Sequence, residues 1–511
     1  ASFSRYCLTV LMLPKEDPRF SRNARPISKG AENRMPGAST PVNGGVRRLR
    51  SGLLTFVLAA AVGLIFVDAP WLILTAGMAL GLFLALGWRL FSIATWVAVL
   101  LSGGALIVAL WRDVPSEVLM DAIGRSLFLG ALIILLGTLR SAAMMAPEVG
   151  EAGVYLTGQP PSRRYLALSF GGHLFGVLIN FGGLVILLDL AKRALAEPST
   201  MQLPPDLQEA RLRRMTLAII RGFSLISLWS PFGFAANVVL ITLPSLSYFD
   251  FGPFGFAISF VFIAIGWSLD RVQNRRLSQR AVTGRRPQVT SWRGAALLVG
   301  HVVILGLSIV TMHEVSSLTF QESLLLLAPC YAIFWSALSS RKLTGGPWKT
   351  INATLLDSWR RMPATAGEVG VFAAAGFLSV VLIAVIPVDG LRDFFADLSL
   401  GPVTLALGLM MSVVVLAFVG VNPIVTASVF GAIASQLALP GLNDLTIALA
   451  IIGGWTAVIG LSPFITTIAL CASIIDRPAG LIGPVWNGTY CAVLLLFWGA
   501  LLMGLMLSGA I

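Results

Sequence analysis

A sixteen-residue segment occurs twice in this chain, 232 positions apart. The first copy, Leu217 to Phe232, reads LAIIRGFSLISLWSPF, and the second, Leu449 to Phe464, reads LAIIGGWTAVIGLSPF, with eight identities and no gap. Both copies are apolar and end in Ser-Pro-Phe. Proline removes a backbone donor and clashes with the carbonyl four residues earlier, so we expect helix breaks at Pro231 and Pro463. Paired breaks of this kind are typical of a transporter's binding site.

The composition is that of a membrane protein. Of 511 residues, 56% are hydrophobic and 12% are charged, a balance that a water-soluble domain does not need. We therefore expect an all-α polytopic membrane protein in a lipid bilayer. The net charge of +12 does not indicate nucleic-acid binding, because the arginines lie in short loops between apolar runs, where they orient the chain in the membrane.

Eleven apolar runs are long enough to cross a bilayer, which takes about 20 helical residues. They lie at about 51–67, 71–88, 90–111, 118–139, 215–247, 252–269, 294–312, 318–338, 368–388, 445–475 and 482–510. Residues 1–48 are polar and rich in Pro, Gly, Ser and Arg, so we expect a disordered cytoplasmic tail there.

The basic loops predict the orientation. The loop at 271–293 carries seven arginines without an acidic residue, and Arg and Lys also crowd 341–361, so both loops should be cytoplasmic. The alternate loops are acidic and should be exterior. The amino terminus is then predicted inside and the carboxyl terminus outside. Compact loops without large soluble domains are compatible with a bacterial inner membrane.

Two further apolar stretches are predicted to be re-entrant hairpins. The stretch 165–190 has basic flanks on both sides, whereas 401–439 has acidic flanks on both sides. Each should therefore enter and leave the membrane on one face. Placing Gly171 on Gly420 aligns the two hairpins and pairs His173 with Asn422.

This order of elements resembles the ion transporter superfamily, and in particular the divalent anion:sodium symporters. The resemblance covers nearly everything from residue 50 onward, as two inverted repeats after one extra helix. The family's Ser-Asn-Thr motif at hairpin tips is not present as written; one hairpin has Gly420-Val-Asn-Pro-Ile-Val-Thr426 instead. The resemblance implies an elevator mechanism, in which hairpins and broken helices carry the binding site past a scaffold, and a homodimer.

The same scheme divides the chain into parts. Residues 49–140 and 294–390 are predicted to be the scaffold helices of the two halves. Residues 141–270 and 391–511 are predicted to be the transport parts, each with a hairpin, a broken helix and a following helix. Residues 271–293 are a basic cytoplasmic linker.

The candidate binding site lies at the breaks and hairpins. A helix interrupted in the membrane has free N–H groups at the start of its second half and free carbonyl groups at the end of its first, which suit an anion and a cation respectively. We predict that the site is lined by Ser230, Pro231, Gly233, Asn237, Ser462, Pro463, Thr466 and Thr467 at the breaks and by His173, Asn180, Asn422, Pro423, Thr426 and Ser428 in the hairpins. The alternative for each Ser and Thr is a hydrogen bond within its own helix or a close helix contact.

Two ionisable residues leave alternatives open. His173 could carry a proton, since its ordinary pKa lies near neutrality, or be a neutral hydrogen-bond donor that holds the hairpin. Arg221 could face a cytoplasmic vestibule and attract an anion, or extend along the helix toward the cytoplasmic surface.

Motifs for catalysis are missing from the sequence. It has no GxxxxGK[ST] motif for ATP and no HExxH or GxSxG motif, so we do not expect an enzyme or a primary pump. We predict a secondary active transporter for a small, anionic solute, coupled to Na⁺ or H⁺, with no cofactor apart from Na⁺ as a coupling ion. The alternative is a permease component of a larger export or assembly system without its own ion coupling.

Overall fold

The computed structural model describes residues 44–196, 203–273, 291–340, 346–398 and 400–511. Regular structure within these ranges is entirely helical. The first half holds α1 Gly44–Gly63, α2 Pro70–Gly87, α3 Ile93–Trp111, α4 Ser116–Met145, α5 Pro147–Thr157, α6 Pro161–Ile179, α7 Phe181–Leu195, α8 Pro205–Ser224, α9 Phe234–Thr242 and α10 Tyr248–Gln273. The second half holds α11 Arg293–Val315, α12 Phe320–Ser339, α13 Gly346–Arg361, α14 Ala366–Val385, α15 Val388–Asp397, α16 Pro402–Phe418, α17 Pro423–Leu437, α18 Asp444–Leu461, α19 Thr466–Ile475 and α20 Gly488–Leu507.

The predicted all-α polytopic membrane fold is confirmed. Among the described residues, nine helical stretches are long and apolar enough to cross a membrane: α2, α3, α4, α10, α11, α12, α13 with α14, α18 with α19, and α20 with the segment before it. The other two predicted crossings are α1 and the α8–α9 unit. Helix α1 carries Arg47, Arg48 and Arg50 near its start, and α8 begins with several charged residues before its apolar part.

Two predicted segment boundaries need correction. Helix α1 begins at Gly44, so the last five residues of the predicted tail 1–48 are helical; residues 1–43 lie outside the described ranges. The predicted linker 271–293 overlaps the end of α10 and the start of α11, and residues 274–290 lie outside the described ranges.

Both helix breaks occur where the sequence predicts them. Helix α8 ends at Ser224 and continues as a 3₁₀ turn to Leu228, and α9 starts only at Phe234. Helix α18 ends at Leu461, and α19 starts at Thr466. A proline lies in each gap and cannot donate to the carbonyl four residues earlier.

Both apolar stretches fold as helical hairpins, but their alignment differs from the predicted one. The tip of hairpin 1 (α6 and α7) is Asn180, with a φ of 52°, and the tip of hairpin 2 (α16 and α17) contains Gly420, with a φ of 95°, and Asn422. Asn180 and Asn422 each precede a second arm of 15 residues. Asn180, and not His173, is therefore the counterpart of Asn422, and the alignment of Gly171 with Gly420 was wrong.

The two repeats exchange packing partners at the breaks. The first arm of each hairpin packs on the first half of its own repeat's broken helix, α6 on α8 and α16 on α18. The second arms pack on the second halves from the other repeat, α17 on α9 and α7 on α19. Lys192 Nζ at the end of α7 donates to the Ile474 carbonyl of α19 at 2.7 Å. Together, α6–α9 and α16–α19 form one interlocked unit.

Small residues allow α6 and α8 to approach closely. A Cβ atom on Gly222 would collide with the backbone of Ser169, and one on Gly172 would collide with the carbonyl of Ile219. At the same crossing, Ser169 Oγ donates to the Ala218 carbonyl at 3.0 Å. This is the small-residue contact through which membrane helices pack, and it fixes hairpin 1 beside the first break.

We expect Gly222→Ala to lower the stability of the purified protein by about 1–3 kcal/mol, because the added methyl group forces two backbones apart. The melting temperature in detergent, measured by scanning fluorimetry, tests this. Gly124→Ala is the control, because a Cβ atom on Gly124 meets nothing within 4 Å. Equal melting temperatures of the two variants would contradict the close crossing.

A buried carboxylate joins α5, which leads into hairpin 1, to the helix α12. Glu148 Oε1 accepts hydrogen bonds from Trp335 Nε1 and Ser339 Oγ, both at 2.9 Å. His301 Nε2 lies 3.8 Å from the same oxygen. Burial alone would raise the pKa of Glu148, but its interactions with His301, Trp335 and Ser339 outweigh burial and lower the pKa to about 2. The ionised carboxylate therefore stabilises the fold.

The lowered pKa of Glu148 predicts an acid dependence of stability. Its contribution is complete above the ordinary value of 4.5 and is lost as the pH falls toward about 2. Glu148→Gln should melt at a lower temperature than the wild type at pH 7, and the gap should close as the pH falls from 5 to 3. Glu117→Gln, at an exposed position of α4, is the control; a pH-independent gap would disprove the assignment.

Candidate functional site

Hairpin 1 and the first break meet the scaffold at a small cavity, which we call the inner cavity. It measures about 60 Å³ and is lined on one side by the hairpin tip, Asn180 and Phe181, and by Phe232 and Phe234 of the break. The opposite wall is the scaffold: Ile133, Leu136, Gly137, Leu139 and Arg140 of α4 and Glu368 of α14. Predicted transport and scaffold parts thus face each other across this space.

A second cavity, the outer cavity, lies at the other end of α9. It measures about 500 Å³ and is lined by Leu240 and Ile241 at the end of α9, by Arg125 of α4, and by Tyr248 and other residues from α10, α11 and α12. Helix α9 has nine residues, about 13 Å at 1.5 Å per residue. The second half of the first broken helix therefore separates the two cavities.

Asn237 completes the first break. Its Nδ2 donates to the carbonyls of Pro231 and Gly233, both at 2.8 Å. A flipped amide would place oxygen against both carbonyls, so the contacts determine the orientation. Among the described residues, Asn237 Oδ1 is then a buried acceptor without a hydrogen-bond partner, and so is the nearby, fully buried Ser230 Oγ.

Two hydroxyl groups of hairpin 2 share this property. Thr426 Oγ1 and Ser428 Oγ are buried and have no hydrogen-bond partner in the described part of the chain. They lie in the first turns of α17, the arm that packs on α9. Leaving a buried polar atom unpaired costs about 1–3 kcal/mol, so four such oxygens among the predicted site residues call for an explanation.

The second break is built differently and faces neither cavity. Ser462 Oγ donates to the Ala417 carbonyl at 2.7 Å, which ties the break to the first arm of hairpin 2. Thr467 is buried, whereas Thr466 is exposed. Of the predicted residues at this break, Ser462, Pro463, Thr466 and Thr467, none lines the inner or the outer cavity. The same holds for Asn422 and Pro423 at the tip of hairpin 2.

His173 lies on the first arm of hairpin 1, two turns before the tip. Its Nδ1 is 3.2 Å from the Gly222 carbonyl, and its Nε2 is 2.9 Å from Trp229 Nε1. A carbonyl can only accept and an indole N–H can only donate, so Nδ1 carries the hydrogen and Nε2 does not. This geometry favours the neutral hydrogen-bonding role, in which His173 holds the hairpin to the break.

Arg221 does not face a vestibule, contrary to one predicted role, and it does not extend to the surface. It is 2% exposed, with Nε 2.8 Å from Asn487 Oδ1 and Nη1 3.2 Å from the Tyr165 hydroxyl. Its guanidinium lies over the ring of Tyr490. The π-helical segment Leu481–Asn487, which precedes α20, supplies the amide that covers it.

Asn487 connects Arg221 to the second break, because its side-chain amide hydrogen-bonds to both. Asn487 Nδ2 donates to the Gly460 carbonyl at 2.9 Å. In an unbroken helix that carbonyl would accept from the amide of Phe464, which instead contacts Ser462 Oγ at 3.3 Å. Arg221 therefore contributes to both broken helices as a structural residue.

Sequence reasoning missed Arg140 and Glu368. Arg140 directly follows the apolar run that ends at 139, and Glu368 is the first residue of the run that begins at 368. Helix α4 continues to Met145, and α14 begins at Ala366, which places both charges inside helices. The available signal was a charged residue at the edge of an apolar run that lies at least one helical turn away from the nearest residue able to end the helix.

We expect Arg221→Met and Asn487→Leu each to lower stability by about 2–3 kcal/mol, because each leaves buried hydrogen-bonding groups unpaired. Since the two side chains share one contact, the double variant should lose less than the sum of the two. Melting temperatures of the three variants test this coupling. Arg193→Met, which removes an exposed pair with Asp189, should change little; strictly additive losses would contradict this connection.

The fold is similar to that of a solved membrane transporter. The crystal structure of the Alcanivorax borkumensis YdaH transporter, described as having an unusual topology, matches with a TM-score of 0.51 over 76% of this chain and 88% of that one. The sequence identity is 15%, so the likeness concerns the fold. Neither a protein-family model nor a curated protein sequence matches the chain.

Proposed function

We propose that this protein is a secondary active transporter that moves a small solute with an anionic group across the membrane, coupled to Na⁺ or H⁺. The observation that carries the proposal is the convergence of two helix starts on the inner cavity. Helices α7 and α9 begin at Phe181 and Phe234, which line it, and neither helix has a side-chain cap. Their free N–H groups favour an anion, as does Arg140 beside them.

The unpartnered oxygens near the first break support a coupled cation. Asn237 Oδ1, Ser230 Oγ, Thr426 Oγ1 and Ser428 Oγ are neutral oxygen atoms of the kind that can surround a sodium ion. The break itself adds backbone carbonyls without helical partners. Broken helices bind anionic groups at their positive ends and cations at freed carbonyls, so solute and ion sites can lie side by side.

The elevator mechanism is proposed from the interlocked unit and the cavity. Because α6–α9 and α16–α19 exchange partners, they favour movement as one body against the scaffold. The inner cavity lies at the boundary between this unit and helices α4 and α14. A homodimer, implied by the family resemblance, would hold the scaffolds still in the membrane.

Uptake by the purified protein tests the function. A panel of small anions is first screened by melting temperature, and stabilising compounds are then offered to vesicles that contain the protein under an imposed Na⁺ or pH gradient. Gradient-dependent accumulation is the expected result. Ligand binding without gradient-driven uptake would favour the permease component without its own coupling.

The sodium site can be tested without a known solute. Na⁺ should raise the melting temperature by about 2–4 °C relative to K⁺ at equal ionic strength, and Thr426→Ala and Ser428→Ala, which each remove a ligand oxygen, should abolish the difference. Ser473→Ala, at an exposed position of α19, is the control. If Na⁺ has no effect while a pH gradient drives uptake, the proton is the coupling ion.

A further inference from the structure

Two opposite charges of the scaffold face the inner cavity. Arg140 of α4 is half-buried, and its buried Nε has no hydrogen-bond partner among the residues that the structure describes. Glu368, in the first turn of α14, lines the same cavity and is exposed. Arg140 is attracted by Glu368 and by Asp357 and repelled by Arg361, yet no salt bridge joins it to Glu368 in the described part of the chain. Both are therefore available to a bound solute.

Arg140 lies against the tip of hairpin 1. A Cβ atom on Gly182, in the first turn of α7, would be 2.8 Å from Arg140 Nε. The amides of Gly183 and Leu184 donate to the Asn180 carbonyl, at 3.0 and 3.4 Å, whereas the earlier amides of the helix have no intrahelical acceptor. Guanidinium and helix start are both positive, and a guanidinium matches a carboxylate with two parallel hydrogen bonds.

Glu368 gives the same cavity a negative wall. A carboxylate accepts hydrogen bonds from an ammonium group, and it repels a second carboxylate nearby. The remaining wall is mostly apolar and aromatic, with the ring centroids of Phe181 and Phe234 6.1 Å apart. A volume of about 60 Å³ has room for a few water molecules, which suits a small headgroup.

We propose that the transported solute is a small zwitterionic amino carboxylate, whose carboxylate binds Arg140 and the start of α7 and whose ammonium group binds Glu368. Water hydrates both charges when the solute is absent, and a solute with both charges replaces that water at complementary positions. A dicarboxylate would place its second negative charge against Glu368. This inference rests on the proposed transport function and names the solute class for the same cavity.

Matched probes distinguish the charge types. The melting temperature of the purified full chain is measured at pH 7 and constant ionic strength with glycine, β-alanine and 4-aminobutyrate, and with acetate, propionate, butyrate and succinate. The wild type should bind at least one zwitterion about tenfold or more tightly than the carboxylate of the same chain length. If no zwitterion stabilises the protein, or if succinate binds best, the inference is wrong.

The variants assign the two ends of the solute. Glu368→Gln should remove the preference for the zwitterion and improve the binding of butyrate or succinate, whereas Arg140→Gln should weaken all carboxylates about tenfold. Glu117→Gln and Arg360→Gln, at exposed positions, are the matched controls. Melting temperatures without probe identify variants that fail to fold, and for these Glu368→Ala and Arg140→Met, which also remove the charge, replace them. An unchanged zwitterion preference in the Glu368 variant overturns the assignment.

Uptake separates this inference from the proposed function. Ion-driven uptake of succinate in the wild type, with no effect of Glu368→Gln, would overturn the zwitterion and leave the transporter intact. Zwitterion binding that depends on Arg140 and Glu368, without uptake under either gradient, would support the solute class and contradict coupled transport.

Discussion

The architecture around the candidate site depends on Pro231 and Pro463, because proline has no amide hydrogen to donate within a helix. In a membrane, every backbone carbonyl must find a partner within the protein, and Pro231 and Pro463 each leave one carbonyl without its usual donor. The breaks also leave other carbonyls without helical donors, and side-chain amides donate to three of these, Pro231, Gly233 and Gly460. Asn237 spans the first break, whereas Asn487, held by Arg221, serves the second. Polar groups are therefore concentrated where the helices are interrupted.

The two repeats contain similar helix breaks, but the polar groups at the two breaks are hydrogen-bonded differently. Within the described ranges, the first break leaves Asn237 Oδ1 and Ser230 Oγ without hydrogen-bond partners, and its Phe232 and Phe234 line the inner cavity. At the second break, Ser462 is satisfied by the Ala417 carbonyl and contacts neither cavity. The two repeats thus share one framework, but in the described residues the first break has more unpaired hydrogen-bonding atoms than the second.

The helix breaks could be predicted from local chemistry, whereas the contacts between distant segments could not. Pro231 and Pro463 act through their own backbone, so their effect can be read from the sequence. Gly171, Gly172 and Asn180 are all small or polar, and only the packing of α6 on α8 distinguishes a helix-contact residue from a hairpin tip. Likewise, the burial of Arg221 depends on Asn487, which is far away in the chain. Arg140 and Glu368 were missed because each lies at the edge of an apolar run, where a charge usually marks the end of a membrane span.

The exchange of partners between the repeats also constrains how the protein is made. Helices α7 and α9 emerge from the ribosome well before α17 and α19, against which they pack. Until residues 423–437 and 466–475 have been synthesised, the first hairpin and the short helix after the first break have incomplete surroundings in the bilayer. Membrane insertion of the amino-terminal half must therefore precede its final packing. The native packing is complete only after the last quarter of the chain has been synthesised and inserted.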